Sequence, residues 1–193
     1  MITFPKYILL QKDRDDYRGD FAQDFIRVVN NPDIYGELKQ LDTETLIGFY
    51  KTLPTWVCQK AEMALIELWQ EWLTYKHIGL KYDNESIGYL YFLRIPNKQV
   101  FKIGKTKLNP EIRKLQIESA EKIKVEIYNW IRIKNFDLIE MELKKYFKKY
   151  QIQREWFQFE FIAGAYCAEI DEAIEVYSKI AEDVELMRSV YDE

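Results

Sequence analysis

The sequence predicts an α+β protein in which a helical N-terminal domain precedes a small β-β-α-β-α-β domain and a C-terminal helix. Apolar residues follow helical spacing up to about residue 80, and strand-like runs then alternate with capped helices. The last segment carries an apolar stripe with heptad spacing. We therefore divide the chain into an acidic helical domain at 1–85, an α/β unit at 86–162 and a C-terminal amphipathic helix at 163–193.

The composition is that of a globular protein. Of the 193 residues, 48% are hydrophobic, 31% are charged and 16% are aromatic, which excludes a disordered chain and provides ample material for a core. No uncharged apolar run is long enough to span a membrane. The N-terminus has no basic stretch followed by an apolar one, so we expect a cytoplasmic protein without a membrane partner.

The cysteine and histidine content excludes several kinds of site. Cys58 and Cys167 are too far apart in sequence for metal-site spacing, and two cysteines cannot form a disulfide scaffold. The only histidine is His77, which lies at the expected end of a helix. A catalytic triad, a Cys–His pair or a multi-histidine zinc site would each need it, so we do not expect histidine-based chemistry.

Proline and capping residues divide the N-terminal domain into four predicted helices. Asn31-Pro32 ends the first of them, and Pro54 begins the longest. A polar linker follows at 81–85. The predicted helices span 17–30, 32–41, from a cap at Asp42 or Thr43 to Leu53, and 54–77.

The second domain has clear strand and turn signals. Runs of aromatic and branched residues on both sides of Pro96-Asn97-Lys98 predict a β-hairpin. Asn109-Pro110 predicts a capped helix start, and Asn135 or Asp137 predicts another. The predicted elements are strands at 88–95 and 100–106, a helix at 110–120, a strand at 125–133, a helix ending near 150 and a strand at 156–159.

The C-terminal helix has an apolar residue at alternating steps of four and three. This pattern is a heptad seam, which either packs onto the chain's own helices or forms a two-helix contact between subunits of a homodimer. The stripe comprises Tyr166, Ile170, Ala173, Tyr177, Ile180, Val184, Met187 and Tyr191.

Charge is distributed unevenly along the chain. Residues 86–162 contain 16 Lys and Arg against 9 Asp and Glu, whereas the segments on both sides are acidic. A basic middle segment favours a polyanionic partner such as DNA, although a solvated charged surface would have the same composition. An acidic N-terminal domain could hold a protein partner.

Several short motifs in the middle segment follow one another in a recognisable order. They are Gly88-Tyr89-Leu90-Tyr91-Phe92-Leu93-Arg94, Phe101-Lys102-Ile103-Gly104-Lys105-Thr106, Asn109-Pro110-Glu111-Ile112-Arg113, Ile139-Glu140-Met141-Glu142-Leu143-Lys144 and Arg154-Glu155-Trp156-Phe157. In this order they resemble the GIY-YIG nuclease superfamily over about residues 86–162. They look most like the phage Orf172-type DNA-binding branch, which has Lys-Ile-Gly in its second motif.

The resemblance implies cleavage of DNA phosphodiesters that depends on Mg²⁺ or Mn²⁺. Tyr91 matches the tyrosine of the first motif, and Lys102 stands where the second tyrosine usually lies. Arg113 matches the arginine that contacts the scissile phosphate, and Glu140 matches the single metal-binding carboxylate. Lys144 replaces the histidine that is usual in the branch.

The length of the hairpin loop decides whether Tyr91 and Lys102 can belong to one site. A loop of two or four residues places Lys102 on the same face of the sheet as Tyr91, whereas an odd loop places them on opposite faces. The general base remains open between Tyr91, Lys102 and a metal-bound water.

The helix that is predicted to begin at Asn135 or Asp137 and to end near 150 supports the same chemistry independently. Magnesium binds through as few as one carboxylate, so Glu140 at the edge of the apolar face can suffice. Glu142 falls about 200° further round the helix and is expected to face solvent. Five lysines are predicted to contact DNA phosphates, namely Lys105, Lys107, Lys144, Lys145 and Lys148.

The N-terminal domain has a fainter resemblance, to the small YozE-type, SAM-like helical modules. It rests on Leu9-Leu10-Gln11-Lys12-Asp13-Arg14-Asp15-Asp16, Gly19-Asp20-Phe21-Ala22-Gln23-Asp24 and Trp69-Gln70-Glu71-Trp72. Such a module could bind a protein, cover the DNA-binding face or add stability.

The sequence therefore predicts a metal-dependent DNA endonuclease of phage, mobile-element or genome-defence type. Two alternatives belong to other classes. One is a DNA-binding module that keeps the fold without cleavage, and the other is a protein-interaction scaffold built on the heptad helix.

Overall fold

The computed structural model divides the chain into two compact units, Met1–Lys81 and Tyr82–Glu193. The C-terminal helix lies within the second unit. The residues that the structure describes are 2–29, 45–51, 58–76, 87–160 and 167–191.

Four helices form the described part of the first unit. They are α1 (Phe4–Leu9), α2 (Tyr17–Val29), α3 (Leu46–Tyr50) and α4 (Gln59–Lys76). The predicted helix at 32–41, the expected start of the longest helix at Pro54 and the position of His77 lie outside the described residues.

Aromatic side chains form the core of the first unit. The ring of Phe4 packs at 5.0 Å from that of Phe49 and at 5.3 Å from that of Trp72. The indole Nε1 of Trp72 donates a hydrogen bond of 3.0 Å to the carbonyl of Ile2, which satisfies the polar end of a buried ring. The core thus joins α1, α3 and α4.

Two arginines form ion pairs that join the start of the first unit to α4. Arg14 Nη1 and Arg18 Nη1 each lie 2.7 Å from a different carboxylate oxygen of Glu71 on α4. Asp16 accepts a hydrogen bond of 2.9 Å from the backbone N–H of Arg18 at the start of α2. The hydrogen bond from Arg18 holds the pKa of Asp16 at about 2, so this carboxylate stays charged under ordinary conditions.

A five-stranded antiparallel sheet forms the centre of the second unit, in the order β3-β1-β2-β5-β4. Its strands are β1 (Ile87–Arg94), β2 (Val100–Thr106), β3 (Glu126–Lys134), β4 (Gln151–Gln153) and β5 (Trp156–Gln158). Its helices are α5 (Pro110–Glu121), α6 (Phe136–Tyr146) and α7 (Ala168–Tyr191). The predicted α+β class is confirmed.

The local signals explain most of these elements. Asn109 caps α5 as predicted, because its side chain accepts a hydrogen bond of 2.8 Å from the backbone N–H of Glu111. Helix α6 ends at Tyr146, earlier than expected, and a 3₁₀ turn at Lys148–Tyr150 follows it. The sequence analysis missed β4, which has three residues.

The hairpin between β1 and β2 has an even loop. The backbone N–H of Ile95 donates to the carbonyl of Val100 at 3.0 Å, so four residues form the loop. Leu93 consequently lies opposite Lys102. Tyr91 lies opposite Gly104, and side chains alternate along a strand, so Tyr91 and Lys102 share one face of the sheet.

Helices cover both faces of the sheet. Ile117 of α5 packs on the face that carries Tyr91 and Leu93. On the opposite face, a Cβ at Gly88 would meet the ring of Phe136 at the start of α6. Helix α7 packs against β3 on that same face.

Three residues of the heptad stripe have described side chains, and all three are used within the chain. Ile170, Ala173 and Tyr177 are fully buried, because α7 packs against β3 and Tyr177 lies near Glu142 and Tyr146 of α6, in accord with the intramolecular alternative. The side chains of Tyr166, Ile180 and residues 182–193 lie outside the described residues, so the homodimer stays a prediction. In the part of the chain that the structure describes, no helix is long and apolar enough to cross a membrane.

Candidate functional site

Tyr91 and Gly104 are in close contact at the centre of the sheet. The Tyr91 side chain is almost completely buried, with 1% exposure. A Cβ at Gly104 would come within 2.4 Å of the Tyr91 hydroxyl oxygen, closer than real Cβ atoms approach other heavy atoms. The glycine of the Lys-Ile-Gly motif therefore makes room for the tyrosine of the first motif.

The guanidinium of Arg113 on α5 lies close to the Tyr91 hydroxyl. Burial raises the pKa of Tyr91, and the nearby Arg113 lowers it only in part, so the pKa stays above its ordinary value. The hydroxyl is accordingly neutral near pH 7. Arg113 Nη1 also donates to Gln116 at 3.2 Å, whereas its buried Nε has no hydrogen-bond partner within the described residues.

Lys102 is a buried cation on the same face of the sheet. Its Nζ lies 2.8 Å from Glu121 Oε1 and 3.3 Å from Glu155 Oε2, and 5.1 Å from the centre of the Trp156 ring. Lys102 and Arg113 both line a cleft of about 740 Å³. Glu121, Glu155 and Trp156 line the same cleft.

Glu140 lies on α6 and is also buried, with 6% exposure. One of its oxygens is in contact with the ammonium of Lys144, and the other lies 3.8 Å from Lys105 Nζ. Lys105 Nζ is 2.5 Å from Asp137 Oδ1 as well, so one ammonium lies between two carboxylates of the same helix.

The ion pairs join into one chain of alternating charges beside the start of β5. Lys144 Nζ lies 2.7 Å from Glu155 Oε1, and Glu155 also contacts Lys102. Glu155 immediately precedes β5, and its carbonyl accepts a hydrogen bond of 3.1 Å from the backbone N–H of Ile103. The connected groups, in order, are Asp137, Lys105, Glu140, Lys144, Glu155, Lys102 and Glu121.

The network stabilises the charged forms of Lys144 and Glu155. Burial lowers the pKa of Lys144, but hydrogen bonds to Glu140 and Glu155 outweigh it and raise this pKa above its ordinary value. Burial raises the pKa of Glu155, but Lys144 and Lys102 outweigh it and hold this pKa below its ordinary value. Both groups therefore stay charged over a wide pH range.

The predicted site residues do not all lie in direct contact. Tyr91, Lys102 and Arg113 lie on the α5 face of the sheet, and Tyr91 contacts Arg113. Glu140 reaches Lys102 only through Lys144 and Glu155. Lys144, which stands where the resembled branch usually has histidine, thus connects Glu140 to the part of the predicted site formed by Tyr91, Lys102 and Arg113.

The carboxylate of Glu140 suits a hard divalent cation, but the ammonium groups of Lys144 and Lys105 already lie at its two oxygens. Magnesium accepts a single carboxylate when waters and phosphate oxygens complete its shell. Among the described residues, no group of three or more His, Cys, Asp or Glu side chains could hold a metal ion. A cation bound to Glu140 would have to displace the ammonium of Lys144 or Lys105.

The five lysines predicted to contact DNA differ in their surroundings. Lys107, Lys145 and Lys148 are exposed. Lys105 and Lys144 are partly buried and paired with carboxylates.

Sequence reasoning missed three carboxylates. The ion pairs of Glu121 and Glu155 could not be predicted, because their lysine partners are distant in sequence. The Glu-Trp-Phe motif includes Glu155 but does not indicate these partners. The expectation that Glu142 faces solvent was wrong, since its exposure is 2%. Burial, followed by the Glu142 charge, raises the pKa of Tyr177 on α7, so α7 covers that side of α6.

Residues 88–181 match the family model of the T5orf172 domain, a domain found in phage and nuclease-like proteins. The match covers just under half of the chain and includes the first half of α7, beyond the boundary expected at residue 162. It is compatible with a phage-type DNA-binding or nuclease-like function. Among curated proteins and solved structures, no match to the chain is found.

Proposed function

We propose that the second unit is a metal-dependent DNA endonuclease of phage, mobile-element or genome-defence type. The observation that carries the proposal is the state of Arg113, whose guanidinium has no carboxylate partner among the described residues. Its buried Nε is unsatisfied and the group lines the cleft. A planar cation in this state suits a phosphate, which accepts two parallel hydrogen bonds from it.

The residues around Arg113 have complementary roles in this proposal. Lys102, which is paired with Glu121 and Glu155, supplies a second positive charge in the same cleft to stabilise charge on a phosphate. The neutral Tyr91 hydroxyl lies beside Arg113, where its proton can orient the phosphate or the attacking water. Its raised pKa disfavours a phenolate base.

Glu140 is the proposed ligand of Mg²⁺ or Mn²⁺. When bound, the metal would stabilise charge on the phosphate oxygens and assist the leaving oxygen. Before a metal binds, Lys144 and Lys105 keep the buried Glu140 carboxylate neutralised. The lysines would then contact DNA phosphates when the metal takes their place.

Nicking of supercoiled plasmid with Mg²⁺ or Mn²⁺ tests the proposal. We expect cleavage by the wild type, at least about a 100-fold loss in Glu140→Gln and a similar loss in Arg113→Gln. Glu111→Gln is the matched control, because it removes an exposed carboxylate of α5 and should keep full activity. Equal cleavage by wild type and Glu140→Gln would contradict the proposed site.

A DNA-binding module without cleavage is the second candidate, favoured by the two lysines that neutralise Glu140. Such a module would show salt-dependent affinity and no metal-dependent turnover. A gel shift beside the nicking assay separates the two, since only the module would shift DNA without ever nicking it. A protein partner for the acidic N-terminal unit, its YozE-type resemblance and the GIY-YIG relationship stay predictions.

A further inference from the structure

An aromatic side chain lies exposed on the face of the sheet that carries Tyr91. Trp130 of β3 is directly opposite Tyr91 of β1, and directly opposite residues of antiparallel strands point to the same face. Trp130 is 48% exposed. Its ring meets that of Tyr89 edge to face, with centroids 5.4 Å apart and planes at 76°, which fixes its orientation.

The same strip of β3 carries two cations. Arg132 lies opposite Tyr89, and Lys134 follows two residues later, so alternation places both on the face of Trp130. Within the described residues neither has a carboxylate partner, unlike the paired lysines of the ion network. Strand β3 is an edge of the sheet, so this strip is open along one side.

An exposed indole beside unpaired cations matches the chemistry of a nucleic acid strand. Bases stack on aromatic rings, and cations contact the phosphates between them. In a duplex both faces of each base are already stacked, so a base must be unpaired to reach such a ring. Tyr91 of β1 lies between the two features, because Trp130 is opposite it on β3 and its hydroxyl lies over Gly104 of β2 near Arg113. The strip and the proposed phosphate site therefore share one face of the sheet.

We propose that Trp130, with Arg132 and Lys134, stacks an unpaired DNA base on the same face of the sheet as the phosphate site at Arg113. The domain therefore selects single-stranded or locally unpaired DNA over a continuous duplex. This inference rests on the proposed function, because it specifies the substrate of the same site.

Fluorescence anisotropy of the full chain in EDTA tests the proposal without cleavage. The probes are a labelled single-stranded 20-mer, a duplex of the same sequence and the matching RNA strand. The variants are Trp130→Ala, Trp130→Phe and Arg113→Gln, with Tyr75→Ala as an exposed aromatic control in the first unit, where Tyr75 is 53% exposed. Trp130→Phe keeps a ring, and a thermal melt of each variant verifies folding.

We expect Trp130→Ala to weaken binding of the single-stranded DNA by about 5- to 100-fold, the range for losing one stacked base. Duplex affinity should change less than about twofold, and Trp130→Phe should retain most single-strand affinity. Equal affinities of Trp130→Ala and Tyr75→Ala for the single strand would overturn the stacking inference. A tighter complex with the RNA strand, or a change in sedimenting mass caused by Trp130→Ala, would also overturn it.

Failure of the stacking inference is distinguishable from failure of the proposed function. If Arg113→Gln weakens every DNA probe while Trp130→Ala weakens none, the phosphate site stands and the stacking inference falls. If the wild type binds neither DNA probe, both fall.

Discussion

The hydroxyl of Tyr91 lies where a side chain on Gly104 would have to be, with only 2.4 Å between its oxygen and a Cβ at that position. The two residues are directly opposite each other on β1 and β2. The first two motifs of the resemblance thus meet in one contact. This contact directs Tyr91 towards Arg113 and the cleft.

Gly104→Ala should destabilise the second unit by about 1–3 kcal/mol, because the added methyl forces a buried ring to move. The same displacement should move the Tyr91 hydroxyl away from Arg113. Chemical denaturation measures the first effect. The double variant Gly104→Ala with Tyr91→Leu should recover part of the lost unfolding free energy. A Gly104→Ala protein as stable as the wild type would show that the two residues are not tightly packed.

Lys144→Met should cost about 1–3 kcal/mol of unfolding free energy, since it leaves the buried Glu140 with only the more distant Lys105. Its neighbour Lys145 is exposed and provides the matched control. Lys145→Met should change the unfolding free energy by less than about 0.5 kcal/mol. Equal effects of the two substitutions in urea unfolding would contradict a structural role for the network.

The ion network should make stability depend on pH at both extremes. The folded-state pKa of Glu155 lies below the usual 4.5, so its contribution is complete above pH 4.5 and is lost as the pH falls through the lowered value. The folded-state pKa of Lys144 lies above 10.5, so its contribution is complete below that pH and is lost as the pH rises further.

Glu155→Gln should flatten the acid side of this profile. Urea unfolding of the wild type and of Glu155→Gln between pH 2 and 7 measures the difference. The two curves should converge as the pH falls, because the wild type then loses the stabilisation from charged Glu155, which the variant lacks at every pH. Parallel curves would exclude Glu155 as a source of the acid sensitivity.

In the first unit, Glu71→Gln should lower the unfolding free energy by about 1–2 kcal/mol, because Glu71 receives both Arg14 and Arg18 in a partly buried setting. Asp24→Asn breaks an ion pair of similar length with Arg27 whose side chains are more than 70% exposed. It should therefore cost less than about 0.5 kcal/mol. A comparable loss in both variants would mean that burial does not strengthen the Glu71 pairs.

Local signals predicted the framework of the second unit well. The Asn109 cap, the hairpin and the strand at 126–134 follow from residue types within a few positions of each other. Strand β4 could not be predicted, because its three residues are too few for a pattern and its pairing partner comes after a turn.

The motif order in the sequence nominated Tyr91, Arg113 and Glu140 as site residues, and their roles stay predictions. The surroundings of these residues could not be predicted. Pairing of Lys144 with Glu155, 11 residues away, depends on where β5 begins. The burial of Glu142 depends on the packing of α7 over α6, which no periodicity in α6 reveals.

The most direct test of phosphate binding at Arg113 is the affinity of the full chain for DNA in EDTA, measured over a range of salt concentrations. Arg113→Gln should weaken binding by about 10- to 100-fold and reduce the salt slope by about one. Lys98→Gln, which removes an exposed charge in the hairpin loop, should have little effect. An affinity and slope in Arg113→Gln equal to those of the wild type would contradict a phosphate site at Arg113.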